Sequence, residues 1–226
     1  MRLKALVIGD MRFQFKYGFY FLYTIMTVLY VVLLGVLPED WRPRGAALMI
    51  FSDPAAMGLY FMGAIVLLEK SERVLDSIAV SPVQPAEYVL SKLTSIAVIS
   101  TLAGAVIGAG GGISVDAYMI LGIFLGSCLF SAVGLIVAAK VSTLNQFVVA
   151  TIPPELVINV PAVAWLLGWK PDWLLLHPGV CVLELCTGGD NPVPALFILL
   201  LWTAAVTLLT IQIITKSLKS LGGVKL

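Results

Sequence analysis

Residues 117–139 read AYMILGIFLGSCLFSAVGLIVAA, a run without a single Asp, Glu, Lys or Arg. A helix rises about 1.5 Å per residue, so a run of this length covers the roughly 30 Å of hydrocarbon in a bilayer. Lipid offers no water to open backbone groups, and a helix satisfies them internally. Five further apolar stretches follow the same rule: residues 18–37, 54–68 (or from Gly45), 93–113, 147–167 and 193–214. The whole chain of 226 residues is 60% hydrophobic and 12% charged, which excludes an ordinary soluble domain. The expected fold is an all-α integral membrane protein with six transmembrane helices in one domain, residues 1–226.

Residues 1–17 place Leu3, Leu6, Val7, Phe13 and Tyr17 on one side of a helix and Arg2, Arg12 and Lys16 on the other. This predicts an amphipathic helix on the inner membrane surface, its basic face towards lipid headgroups. It runs directly into the first span and does not read as a cleavable signal, so Met1 is expected near the mature start. Asp10 falls on the apolar side and needs a partner, either locally in Arg12 or Lys16 or in another subunit.

Lys and Arg set the orientation. Arg2, Lys4, Arg12, Lys16, Lys70, Arg73, Lys92, Lys140, Lys216, Lys219 and Lys225 fall on one side, and Arg42, Arg44 and Lys170 on the other. Both termini are therefore expected in the cytoplasm of a bacterial inner membrane. A net charge of +1 gives no sign of a nucleic-acid partner. Cys128 reads as packing, while Cys181 and Cys186, about 8 Å apart along a helix, read as free thiols. Gly104, Gly108 and Gly112, with Gly122 and Gly126, are small residues at the four-residue spacing of close helix packing. No Gly-Lys-Ser/Thr ending follows them, so they are not a phosphate loop.

The stretch most informative about function is residues 69–92, EKSERVLDSIAVSPVQPAEYVLSK. Val74, Leu75 and Ile78 mark one face of a short helix that Pro82 stops. Pro85 then suits the first position of a new helix, and Glu87 complements its dipole. Taken alone, the segment is either a solvated connector or a rigid handle for a cytosolic partner. Its pattern of Glu-Arg, a helix ending in Ser-Pro and a Glu-Tyr run closing on Lys resembles the loop after the second span in type 2 permeases of ATP-binding-cassette exporters, the type V exporter fold. The opening residues 3–20 and the run 50–54 are similar to permeases of the fluoroquinolone-exporter type. The resemblance implies a coupling helix at Glu69, Glu72, Arg73, Leu75, Asp76, Ile78 and Pro82 that docks on a separate ATPase subunit carrying ATP and Mg. It also implies a second permease subunit, the same or similar, and an amphiphilic small-molecule substrate exported between the two. This chain has no nucleotide-binding loop, and no cofactor or metal of its own is expected.

Ionisable groups at membrane depth are functional candidates by default. Glu155 follows Pro153-Pro154 in the fifth stretch, one turn before Asn159 on the same face. The resemblance places that face near the substrate cavity. Glu155 is then either an attractor of cationic amphiphiles or a carboxyl protonated or bonded to a neighbouring helix. Asp53 before Pro54 reads as a helix cap, or as a second cavity acid if the second span starts near Gly45. Residues 168–192 are rich in Trp, Leu and Pro and suit an external re-entrant segment. There His177, Pro178 and Glu184 are gate candidates by resemblance. His177, Cys181 and Glu184 share a helical spacing that zinc accepts, but a single His makes packing and gating the expected role. Two other function classes remain: an ion- or proton-coupled transporter using Glu155, and a membrane scaffold or sensor without flux.

Overall fold

The computed structural model describes residues 2–52 and 57–221. Asp53 and Pro54 lie outside the described residues. The helices are α1 (Arg2–Lys16), α2 (Phe19–Val36), α3 (Arg42–Ile50), α4 (Met57–Ser71), α5 (Val74–Ala79), α6 (Pro85–Gly110), α7 (Ala117–Lys140), α8 (Leu144–Leu166), α9 (Pro178–Thr187) and α10 (Pro192–Leu221). Tighter helical turns at Glu39–Trp41 and Asp172–Leu176 lead into α3 and α9. The fold is all-helical among the described residues.

Five helices are long and apolar enough to cross a membrane: α2, α6, α7, α8 and α10. α2, α7 and α8 begin and end within a few residues of the expected stretches, and α10 begins one residue early and runs seven residues further. α6 instead starts at Pro85, eight residues earlier, because Pro85 takes the first helical position and Glu87 closes a capping box with Gln84. The second stretch differs. Its described residues belong to α3 and α4, with residues 53–56 between them outside the described residues, and the 15 residues of α4 alone cover about 22 Å. The expected sixth uninterrupted span is therefore absent from the described residues.

α7 is the hub. It packs against α4, α6, α9 and α10, and serines stitch it to its neighbours where lipid offers no alternative partner. Ser127 donates to Ser100 of α6 at 3.0 Å, and Tyr23 of α2 shares a 2.9 Å bond with the same hydroxyl. Gly104 and Gly108 of α6 give room to Ile123 and Met119 of α7, as the glycine spacing predicted. Among the described glycines, the closest approach to the backbone of another helix lies elsewhere, at Gly134. A Cβ there would overlap the Leu59 carbonyl oxygen and stand 2.9 Å from the Leu59 Cα, both backbone atoms of α4. Gly134→Ala is expected to destabilise the protein by about 1–3 kcal/mol, because the strain has no flexible side chain to absorb it. Thermal unfolding in detergent checks this; an unchanged midpoint would mean α4 and α7 sit further apart.

The outer faces of α2, α8 and α10 carry exposed Phe21, Val28, Val32, Val149, Val157, Val160, Phe197 and Leu208. Apolar surface of this extent is solvated by lipid. The chain is a multi-pass membrane protein. α1, α5 and the last turns of α10 gather at one end of the bundle, where Leu75, Tyr88 and Leu218 line one small void and Ile78 and Lys219 line a second cavity.

Candidate functional site

The segment from Glu69 to Lys92 is anchored by a buried charge cluster. Lys92 of α6 reaches Glu69 at the end of α4 at 2.5 Å and Asp10 of α1 at 2.6 Å, with only 3% of its side chain exposed. Tyr88 donates to the other Glu69 oxygen at 2.8 Å, and Ser91 donates to the other Asp10 oxygen at 2.7 Å. The Lys92 ammonium also lies 5.1 Å from the Tyr88 ring centroid. Each carboxylate thus has two donors, which a buried ion pair needs if its attraction is to offset desolvation.

This corrects the expected partner of Asp10, which is neither local nor in another subunit. Arg12 and Lys16 are exposed, while Asp10 and Gln14 turn inward at helical spacing against α6. Gln14 donates to Ser95 at 2.7 Å in the same buried seam. α1 therefore runs along α6 and clasps both ends of the segment. Arg2 donates to the Pro82 carbonyl at 3.3 Å, and the Tyr17 hydroxyl donates to Glu72. That bond to a carboxylate holds the Tyr17 phenol above its ordinary pKa. Lys70 donates to the carbonyls of Ala138 and Val141 at 2.7 and 2.8 Å and caps the end of α7.

The sequence-expected coupling residues consequently divide. Glu69 and Leu75 are buried and face the bundle; Ile78 is half-buried. Glu72, Arg73, Asp76 and Pro82 are exposed. Arg73, Asp76, Ser77 and Val80 form an outward stripe with gaps of three, one and three residues, one face of a helical turn. Val80 is 83% exposed and was not singled out by sequence. An apolar residue in a charged loop was the available signal. Arg73 holds φ 56°, a left-handed conformation that costs a non-glycine residue about 1–2 kcal/mol. That turn redirects the chain from α4 into α5, so the strain is placed where the segment changes course.

Glu155 and Asn159 share a face of α8, as their spacing predicted, and meet α4 there. The Tyr60 hydroxyl donates to Glu155, beside a void of about 10 Å³ lined also by Leu59, Phe130 and Asn159. Of the alternatives for Glu155, the geometry within this chain is the bond to a neighbouring helix. A void of this size admits at most a water.

His177, Pro178 and Glu184 sit at the two ends of α9. Pro161 has no N–H, which leaves the Val157 carbonyl one turn earlier without its helical bond. His177 Nε2 donates to that carbonyl at 3.1 Å. Burial pushes the imidazolium below its usual pKa, in keeping with a neutral ring. Pro178 opens α9, where its missing N–H costs nothing. Glu184 is buried and accepts from the Asn191 backbone N–H at 2.9 Å, holding the turn into α10. Cys181 donates instead to the Leu175 carbonyl at 3.0 Å. The three residues whose spacing suited zinc thus turn to three separate partners. Cys128, Cys181 and Cys186 are free thiols, as expected.

Comparison with known proteins agrees with a transport architecture. The chain matches the model of the Fluoroquinolones export permease protein family over residues 1–217. Two curated proteins of Mycobacterium tuberculosis, from strains CDC 1551 / Oshkosh and ATCC 25618 / H37Rv, are each named a fluoroquinolones export permease protein. Each is 26% identical over 151 residues, or 66% of this chain. The chain spans 63% of the length of each relative.

Proposed function

The chain belongs to the fluoroquinolones export permease protein family, and from that premise we propose that it is the transmembrane subunit of an ATP-driven ATP-binding-cassette exporter. Its substrates are hydrophobic or amphiphilic compounds, drugs of the fluoroquinolone kind among them. ATP and Mg are bound by a separate ATPase subunit, and a second permease chain completes the translocation path. The observation that carries this reading is the Asp10–Lys92–Glu69 cluster. It fixes both roots of a short helix while leaving Arg73, Asp76, Ser77 and Val80 outward, the arrangement required of a lever that receives force from a partner.

Topology supports the same reading. α1, α5 and the end of α10 share one end of the bundle, which requires an even number of crossings. Five long helices give an odd number, and in this reading α3 and α4 together supply the sixth crossing. The excess of Lys and Arg at the α5 end makes that end cytoplasmic in a bacterial inner membrane, with both termini inside. Residues 168–192 are then external, with α9 re-entrant behind the gate.

Co-purification with a co-expressed ATPase subunit tests the docking claim. Val80→Glu, or Arg73→Glu with Asp76→Lys, is expected to abolish capture of the ATPase while leaving the permease monodisperse. These residues point away from the bundle, so an intact complex would remove α5 as the docking helix. A second reading, proton-coupled transport, is favoured by one observation, the Tyr60–Glu155 pair joining α4 and α8.

A further inference from the structure

The end of the bundle opposite α5 holds two cavities beside the segment read as the external gate. One, of about 470 Å³, is lined by Trp41, Arg44, Leu48, Trp165 and Lys170 among others. The second, of about 410 Å³, shares Trp165 and Lys170 with the first and is lined by Asp172 and Asp190. The Lys170 ammonium lies 3.8 Å from the centroid of the Trp165 ring, on an indole only 6% exposed. This cation–π contact fixes the charge at the junction of the two cavities. Among the described residues, Arg44, Lys170, Asp172 and Asp190 take part in no ion pair.

Opposite charges that neighbour one another without pairing, beside an apolar wall, describe a receptor for a zwitterion with a hydrocarbon tail. We propose that this double cavity binds a zwitterionic phospholipid whose headgroup is a phosphate diester carrying a primary amine. The phosphate sits between Arg44 and Lys170, each a donor suited to phosphate oxygens. The ammonium lies on the Asp172 and Asp190 side. The acyl region runs along Trp41 and Leu48, aromatic and aliphatic groups at the level where a membrane interface is expected. A free phosphoamine offers the same headgroup chemistry but leaves the apolar wall uncovered, which favours the lipid. The inference needs a membrane setting and is independent of ATP coupling.

Native mass spectrometry of the delipidated full chain in detergent tests it, with phosphatidylethanolamine, phosphatidylglycerol and free phosphoethanolamine as probes. One phosphatidylethanolamine should be retained at least five-fold more tightly than phosphatidylglycerol. Arg44→Gln with Lys170→Gln should weaken retention of both lipids at least ten-fold. Asp172→Asn with Asp190→Asn should erase the preference for the amine headgroup while leaving phosphatidylglycerol binding in place. All four side chains are exposed, and monodisperse elution of the variants excludes misfolding as the cause of a loss. Lipid retention unaffected by the Arg44 and Lys170 changes would overturn the proposal, as would equal binding of the two lipids by the unaltered chain. Displacement by millimolar phosphoethanolamine would overturn the lipid assignment in favour of a soluble ligand.

Discussion

Lys92→Met is expected to lower stability by about 3–5 kcal/mol, the usual cost of leaving a buried charge without its partner. The loss is large because one ammonium serves two carboxylates, at 2.5 and 2.6 Å, on two different helices. Methionine keeps an unbranched side chain and lacks only the terminal ammonium position, so packing is nearly conserved and the electrostatic change dominates. Glu69 and Asp10 then face each other's negative charge with only Tyr88 and Ser91 as donors. Neutralising both acids, Asp10→Asn with Glu69→Gln, in the Lys92→Met background should recover most of the loss. The three buried free thiols provide the readout, since a thiol-reactive dye reports their exposure as the protein unfolds. A single-variant cost near 1 kcal/mol, typical of surface pairs, would mean the cluster is solvated and does not anchor the segment.

The second large effect is expected at Glu155. In an ATP-driven exporter with a permease partner opposite α8, Glu155→Gln leaves ATP-dependent flux of neutral amphiphiles intact. Transport of cationic ones falls about ten-fold, equivalent to about 1.4 kcal/mol of lost attraction. Tyr60→Phe should move the same preference in the opposite direction, because the carboxylate loses the hydroxyl that occupies it. If Glu155→Gln stopped all flux, neutral substrates included, the acid would be the coupling group of a proton-driven carrier. Identical profiles in both variants would reduce the pair to a structural bond between α4 and α8.

The membrane-spanning body was legible in sequence because long runs without Asp, Glu, Lys or Arg admit one physical solution in lipid. The start of the second stretch was less so. Gly45 and Pro54 offered two starts, and residues 53–56, between α3 and α4, lie outside the described residues. The Asp10–Lys92 contact spans 82 positions and leaves no local pattern; the only signal was a carboxylate on the apolar face of α1. The family resemblance grouped Glu69, Leu75 and Arg73 as one docking surface. Burial separates them, because a helix of six residues attached at both ends has an inner and an outer face that composition alone does not distinguish. At His177 a readable cue existed. Pro161 frees the Val157 carbonyl, and a donor for it had to come from a neighbouring element.

The central claim is that ATP hydrolysis on a partner drives export through this chain. Its most direct test uses inside-out membrane vesicles containing the chain and its ATPase subunit, with a fluorescent fluoroquinolone as substrate. Uptake should require hydrolysable ATP and persist when a protonophore collapses the proton gradient. Uptake that continues without ATP and vanishes with the gradient would contradict it.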